Sequence, residues 1–162
     1  MQKTNAVRML EKAKIPFDTA QYEVDEADLS GAAIARKIGA DEKCVFKTLV
    51  ARGEKHGCVV FCIPVSEEVD LKKAAAACGE KRVELLPLKQ LLPTTGYVRG
   101  GCSPIGMKKH FPTYIHSSAL DLEKIYVSGG ARGLQIITEP KLLSDFVGAK
   151  YADLILQTKE GI

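Results

Sequence analysis

The amino-acid sequence predicts a mixed α/β fold in one domain that spans residues 1–162. Short β-branched and apolar runs alternate irregularly with short amphipathic patterns, which is typical of a mixed sheet and not of a doubly wound one. No repeat, low-complexity segment or linker divides the chain. Its 162 residues are enough to bury one ordinary hydrophobic core.

The composition excludes several classes of protein. Hydrophobic residues make up 46% and charged residues 27% of the chain, which is typical of a globular domain. No apolar run reaches the ~18–20 residues that cross a bilayer, and the N-terminus enters a helical pattern instead of a signal peptide. We therefore expect a cytoplasmic protein without a membrane partner. The net charge of +3 permits an acidic ligand but does not by itself indicate nucleic acid.

The helices are predicted from capping residues and terminal glycines. Ser30 and Asp70 are suitable N-caps for the second and third helices, and Gly39 and Gly79 end them. Thr4 or Asn5 can cap the first. The predicted helices lie at residues 6–13, 32–38, 71–79, 88–92 and 140–146.

The strands are predicted from short β-branched and apolar runs. They lie at residues 17–24, 45–52, 58–65, 82–86, 114–116, 125–127 and 134–138. The second and third form a hairpin, and strand alternation places Lys47 and Thr48 on opposite faces of the second. A lysine in this apolar run is either a functional charge or a solvated residue on an edge strand.

Two glycine-rich segments point to a ligand site. The first glycine turn covers residues 100–106 and the second covers residues 128–133. Glycine lets the main chain approach a ligand closely and leaves its N–H groups free to face an anion or a developing oxyanion. The pattern therefore suggests a site built from main-chain amides instead of a side-chain triad.

The cysteines predict neither disulfides nor a metal site. The chain has five of them, an odd number. Cys58 and Cys62 resemble a ligand pair, but four strand residues separate them by roughly 13 Å, too far for one metal or one bridge. We expect free thiols, no zinc site and no cofactor.

A conventional hydrolase would need a nucleophile with a base in reach. Cys102 and Ser103 are the candidate nucleophiles, with His110 or His116 as the base. Neither candidate lies in a Gly-x-Ser-x-Gly elbow, and no acidic residue is placed to orient a histidine. The pattern favours both as structural parts of a tight turn that Pro104 shapes.

Four segments, taken in order, resemble the YbaK/EbsC family of freestanding aminoacyl-tRNA editing proteins. They lie at residues 45–49, 70–73, 95–109 and 125–134, and the similarity runs from the first helix to about Ala152. The resemblance implies a curved, barrel-like mixed sheet flanked by short helices. It also implies a deacylase that clears Cys-tRNA(Pro), and also Cys-tRNA(Cys), in trans.

The resemblance further implies a reaction in which the substrate's own thiolate attacks its ester carbonyl and forms a thiolactone. It assigns the oxyanion contact to the N–H of Gly101 and the positioning of the tRNA end to Lys47. The remaining substrate-binding residues that it implies are Tyr22, Thr48, Gly100, Ser128, Gly129 and Gln135. For Thr48, Ser128 and Tyr22 the alternatives are packing, turn initiation and an ordinary half-buried strand residue.

The sequence departs from the family pattern at two places. Gln135 stands where family members often carry aspartate, and Leu29-Ser30 replaces an asparagine–aromatic pair. A neutral amide cannot pair with the substrate ammonium as a carboxylate would, so strict cysteine selectivity is not implied.

The resemblance also bears on partners. It implies an aminoacylated tRNA 3′ end as ligand and prolyl-tRNA synthetase as the partner that selects the tRNA body. We expect weak RNA contacts from Arg99, Lys108 and Lys109 beside the first glycine turn. The alternative from another class is a noncatalytic tRNA-end or nucleotide-binding regulatory module.

Overall fold

The computed structural model describes residues 3–157 and confirms the mixed α/β architecture. In chain order its elements are α1 (Asn5–Lys12), β1 (Asp18–Gln21), α2 (Gly31–Ile38), β2 (Phe46–Gly53), β3 (Gly57–Pro64), α3 (Leu71–Cys78), β4 (Val83–Leu85), α4 (Leu88–Thr95), β5 (Thr113–His116), a 3-10 helix (Ser117–Asp121), β6 (Ile125–Ser128), β7 (Leu134–Thr138), α5 (Pro140–Val147) and β8 (Lys150–Ala152). None of the helices in this range is long and apolar enough to span a bilayer.

The strands form two sheets. A five-stranded mixed sheet has the order β4-β2-β3-β5-β8, and a three-stranded antiparallel sheet has the order β1-β7-β6. The two sheets meet where Val45 forms a parallel bridge to Tyr126, whose N–H donates to the carbonyl of Cys44 at 2.8 Å. Among the described residues the strands curve around the core without closing into a barrel.

Local signals account for most helix ends. The Ser30 side chain accepts a hydrogen bond from the N–H of Ala33 at the start of α2, and Asp70 caps α3 in the same way. Gly39 and Gly79 end these helices in the left-handed conformation, at φ of 68° and 76°. These caps confirm the predicted second and third helices.

Four elements differ from the sequence-based prediction in extent or existence. Helix α4 runs to Thr95 and not to Leu92, because Pro93 removes one donor without ending the helix. Strand β1 is shorter than predicted at both ends. Strand β8 and the 3-10 helix were not predicted, since pieces of three and five residues carry too little periodicity.

Strand alternation gives the β2–β3 hairpin two buried faces. Phe46 and Val60 belong to one core, which α1, α5, β6 and β7 complete. Phe61 and Ile63 belong to a second core against α3. The hairpin is therefore held from both sides, which makes it a rigid base for polar groups on β2.

A small polar cluster fastens the segment after β8. The side chain of His116 is only 7% exposed, and its Nδ1 accepts a hydrogen bond from the N–H of Leu154 at 3.1 Å. Lys73 Nζ donates to Asp153 at 2.9 Å and to the Ile155 carbonyl at 2.8 Å. Burial lowers the pKa of His116, and the nearby carboxylate of Asp153 opposes this shift.

We predict that this histidine makes stability depend on pH. Only neutral His116 can accept at Nδ1, so its stabilisation is complete above an unfolded-state pKa of about 6.5. It is lost as the pH falls through the lower folded-state pKa. His116→Phe should lower stability by about 1–3 kcal/mol at pH 7.5, with a flatter loss toward pH 5.

Thermal unfolding between pH 5 and 8 measures this effect. His110→Gln is the matched control, because His110 is exposed and should leave the pH dependence of the melting temperature unchanged. Parallel curves for wild type and His116→Phe would contradict the assignment.

Candidate functional site

A cavity of about 610 Å³ lies along one edge of β2. Its walls come from the start of α2, the first half of β2, the segment from β4 to α4, the first glycine turn, β6 and β7. The polar side chains that line it are Ser30, Lys47, Thr48, Arg99, Cys102, Ser128 and Gln135. The cavity therefore joins residues from across the chain, including both glycine turns.

The cavity exists because this edge of β2 is only partly paired. Strand β4 pairs with β2 from Ala51 to Gly53, and at the other end β6 forms only the bridge at Val45. The carbonyl of Val45 accepts from the N–H of Val65, directly after β3, so alternate residues of β2 from Lys47 onward bond to β3. The main-chain N–H and C=O of Thr48 consequently face the open edge.

Lys47 and Thr48 occupy this open edge on opposite faces of the strand, as predicted. The Oγ1 of Thr48 lies 3.9 Å from Cys62 Sγ on β3. Lys47 is half-buried instead of solvated, and this desolvation lowers its pKa, with Glu68 and Glu67 opposing the shift. The solvated edge-strand interpretation of Lys47 therefore does not hold.

The charged side chains that line the cavity are both cationic. Lys47 and Arg99 line it, whereas no Asp, Glu or His among residues 3–157 does. A cationic, partly dehydrated cavity favours an anionic ligand, or a group that becomes anionic during reaction.

Ser128 and Gln135 face each other across β6 and β7. Ser128 Oγ accepts a hydrogen bond from the N–H of Gly130 at 3.2 Å, which supports its turn-initiating alternative without excluding ligand contact. Gln135 is 3% exposed, and its Oε1 has no hydrogen-bond partner among the described residues. A buried acceptor without a partner at a cavity wall is suited to a donor on a ligand.

The N–H of Gly101, which was predicted to face the ligand, is used within the first glycine turn. The N–H of Gly101 donates to the carbonyl of Val98 at 3.0 Å, which closes a β-turn. A Cβ on Gly101 would lie 3.1 Å from the main-chain nitrogen of Arg132. Gly101 is thus a packing glycine between the two turns, and its N–H is already engaged. Gly100 and Cys102, its neighbours, line the cavity instead.

No side chain in the first glycine turn is activated as a nucleophile. Cys102 is buried, and burial raises its pKa to about 12. Ser103 is fully buried, and its Oγ accepts from the N–H of Ile105. The Nδ1 of His116 accepts from the N–H of Leu154, and His116 does not line the cavity. The structure agrees with the interpretation of Cys102 and Ser103 as turn residues.

Other predicted residues lie at the border of the cavity or beyond it. Tyr22 lines a small neighbouring crevice, which shares Gly100 with the cavity. Gly129 donates to the carbonyl of Leu134 at 2.8 Å and packs tightly against its side chain. Lys108 donates to the carbonyl of Pro93, and Lys109 lines a separate groove beside α1.

Sequence reasoning missed the leucine wall of the cavity. It consists of Leu85, Leu86, Leu88 and Leu91, at the end of β4 and on α4. The sequence signal for this wall is the number of apolar residues in the run, which is larger than one packed helical face needs. In the structure Leu88 is accordingly 59% exposed. Leu29, Ser30 and Gly31 also line the cavity, and the first two are where the sequence departs from the family pattern.

Comparisons with known proteins agree with this geometry. The family model of the aminoacyl-tRNA editing domain matches residues 26–146. An Enterococcus faecalis protein, named as a candidate Cys-tRNA(Pro)/Cys-tRNA(Cys) deacylase, EbsC, is 47% identical over 98% of this chain and 96% of its own. The proline–tRNA ligase of Thermosipho melanesiensis is 23% identical over 76% of this chain, which spans only 21% of that ligase.

A solved structure shows the same fold. The crystal structure of a candidate trans-editing enzyme for prolyl tRNA synthetase superimposes with a TM-score of 0.83 at 24% identity, covering 97% of this chain and all of that one. The match to the family model and the 47% identity together confirm the resemblance that the glycine turns and the Lys47 strand indicated. This chain belongs to the aminoacyl-tRNA editing domain family.

Proposed function

We propose that this protein is an aminoacyl-tRNA deacylase that removes cysteine from mischarged tRNA in trans. Cys-tRNA(Pro) is the principal substrate and Cys-tRNA(Cys) a further one. The observation that supports this most is a cationic cavity, lined by Lys47 and Arg99, in which no Asp, Glu or His among residues 3–157 takes part and the one thiol, Cys102, has a raised pKa. Such a cavity suits a substrate that brings its own nucleophile. The name of the Enterococcus faecalis relative agrees with this substrate.

The proposed reaction is intramolecular. The thiolate of the attached cysteine attacks its own ester carbonyl carbon, and a carbon–sulfur bond forms. The carbon–oxygen bond to the ribose then breaks, and the ribose oxygen keeps the electron pair and takes up a proton. The products are a cyclic thiolactone and free tRNA. Since the substrate already links the reacting groups, the protein contributes selection of the reactive conformer and electrostatic stabilisation of the developing charge.

Lys47 supplies the positive charge at the reacting end. Its half-buried position strengthens attraction to an anion, because the effective dielectric there is lower than in water. It positions the terminal adenosine or its phosphate and thereby the ester. The unpaired Oε1 of Gln135 accepts a hydrogen bond from the α-ammonium group of the substrate.

The synthetase partner supplies tRNA selection in this proposal. Of the three predicted RNA-contacting cations, only Arg99 lines the cavity. A net charge of +3 also supports only weak, salt-sensitive binding to the tRNA body. The domain therefore reads the aminoacylated 3′ end, and prolyl-tRNA synthetase presents the correct tRNA.

A deacylation assay tests the proposed function. Purified protein should release tRNA from Cys-tRNA(Pro) and Cys-tRNA(Cys), and the thiolactone should be detectable by mass spectrometry. Ser-tRNA(Pro) is the matched control substrate, because it differs only in carrying oxygen in place of sulfur. Adding prolyl-tRNA synthetase should increase the preference for Cys-tRNA(Pro). Binding of Cys-tRNA(Pro) without turnover would instead support the noncatalytic module.

Lys47→Met removes the charge at the reacting end and keeps most of the stem volume. We expect kcat/KM for Cys-tRNA(Pro) to fall about 100-fold or more, since one preorganised charged contact is lost. The melting temperature should stay nearly constant or rise, because the lysine is partly desolvated in the fold. Lys43→Met, on an exposed residue just before the same strand, is the control and should keep full activity. Retained activity in Lys47→Met would remove this residue from the site.

Cys102→Ala tests whether the protein itself supplies a nucleophile. The buried thiol has a pKa of about 12, so it stays protonated near neutral pH. We expect kcat to change by less than about threefold, and no cysteinyl-protein adduct should appear by intact mass spectrometry. Complete inactivation together with an adduct in the wild type would establish Cys102 as the nucleophile.

A further inference from the structure

The carbonyl of Arg99 is held by a side chain from the second glycine turn. Arg132 Nε donates to the Arg99 oxygen at 2.7 Å, and Gly100 lines the cavity directly after it. We propose that Arg132 is a positioning residue that fixes the Arg99–Gly100 peptide so that the N–H of Gly100 binds the reacting carbonyl oxygen. This inference rests on the proposed function, and it replaces Gly101 with Gly100 as the main-chain donor.

The direction of the Gly100 N–H follows from peptide geometry. The C=O and N–H of one trans peptide point in opposite directions. The Arg99 carbonyl points to Arg132, so the N–H of Gly100 points away from that guanidinium. Within residues 3–157 this N–H donates to no acceptor, whereas the N–H of Gly101 is taken by Val98. Gly100 therefore offers a free donor at the cavity wall.

The turn itself does not fix this peptide. Gly100 has a φ of +83° at the third position of the Val98–Gly101 turn, which corresponds to a type II turn. Because glycine accepts both signs of φ, the Arg99–Gly100 peptide can also flip to the type I arrangement with the same closing hydrogen bond. The flip would turn the Arg99 oxygen to where the N–H now points. The bond from Arg132 selects the arrangement that presents a donor.

The main chain of Arg132 is itself held in place. Its main-chain nitrogen would lie 3.1 Å from a Cβ on Gly101, so the two turns are in direct backbone contact. A Cβ on Gly100 would likewise meet Arg132 Nε at 3.3 Å. The donor, the peptide that carries it and the guanidinium thus form one packed unit.

The proposed reaction needs such a donor when the ester carbonyl oxygen becomes negatively charged. When the thiolate attacks, the π electrons of the ester C=O move onto oxygen, and they return when the ribose oxygen leaves. A fixed N–H stabilises this transient oxyanion more than the neutral ester, so its loss should lower kcat more than it raises KM.

Arg132→Met tests the inference in the full-length protein with Cys-tRNA(Pro). We expect kcat to fall about 100-fold while KM changes less than about threefold. Arg132→Lys keeps the charge and can still donate to the Arg99 carbonyl, so it should regain part of kcat. Arg99→Met is the comparison, because it removes a cation from the same turn and leaves the main-chain acceptor in place. Arg99→Met should raise KM in a salt-dependent manner.

The outcomes separate this inference from the proposed function. If the wild-type protein is inactive on both cysteinyl-tRNAs, the proposed function is wrong. Active wild type with unchanged kcat in Arg132→Met contradicts only the positioning role. A raised, salt-sensitive KM with unchanged kcat would make Arg132 a phosphate contact instead. Equal losses of kcat in the lysine and methionine variants, with wild-type circular dichroism spectra, would also contradict the role.

Discussion

The backbone contact between the two glycine turns is the constraint on which the site depends. Gly101 lies against Ala131 and Arg132 so closely that a Cβ would come within 3.2 Å of their main-chain atoms. The start of α1 strengthens this contact, because Thr4 donates to the Gly129 carbonyl and Asn5 to that of Gly106 at 3.2 Å. Three distant segments thus fix the wall that carries the free amide. A side chain at Gly101 would push the two turns apart and shift the wall of the cavity that Gly100 and Cys102 form.

The second requirement is an edge of β2 that remains unpaired. A fully paired strand would bury the main-chain groups of Thr48 in a ladder and leave no room for a ligand. Here β4 begins to pair only at Ala51, and the cavity occupies the gap. Both cores hold the β2–β3 hairpin rigid, so Lys47 can remain half-buried without the strand bending toward solvent. The unpaired edge of β2 thus leaves room for the cavity, and the rigid hairpin holds the Lys47 side chain at its wall.

Local sequence signals predicted the elements better than the site. Ser30 and Asp70 identify their helices because a cap is a contact between residues two or three apart. The β-turn that occupies the N–H of Gly101 was not foreseen, because glycine at position 100 permits several backbone conformations. Sequence proximity also suggested that Lys109 would flank the cavity, yet the chain leaves the cavity after Cys102, and Lys109 lines another groove together with Pro104 and Gly106.

Selectivity in the proposed reaction comes from the chemistry of the substrate more than from its binding. Gln135 provides a buried neutral acceptor, and the hydrogen bond proposed for it uses the α-ammonium group that all aminoacyl groups share, so it would not distinguish cysteine from other amino acids. Among residues 3–157 no carboxylate lines the cavity, so Lys47 and Arg99 favour an anion there, although Glu67 and Glu68 lie close enough to Lys47 to oppose the lowering of its pKa. Among the protein's own thiols, Cys102 lines the cavity, and burial raises its pKa to about 12, so it stays protonated near neutral pH. The substrate thiol therefore has no competitor from this residue, and an aminoacyl group without a thiol binds but lacks the attacking atom.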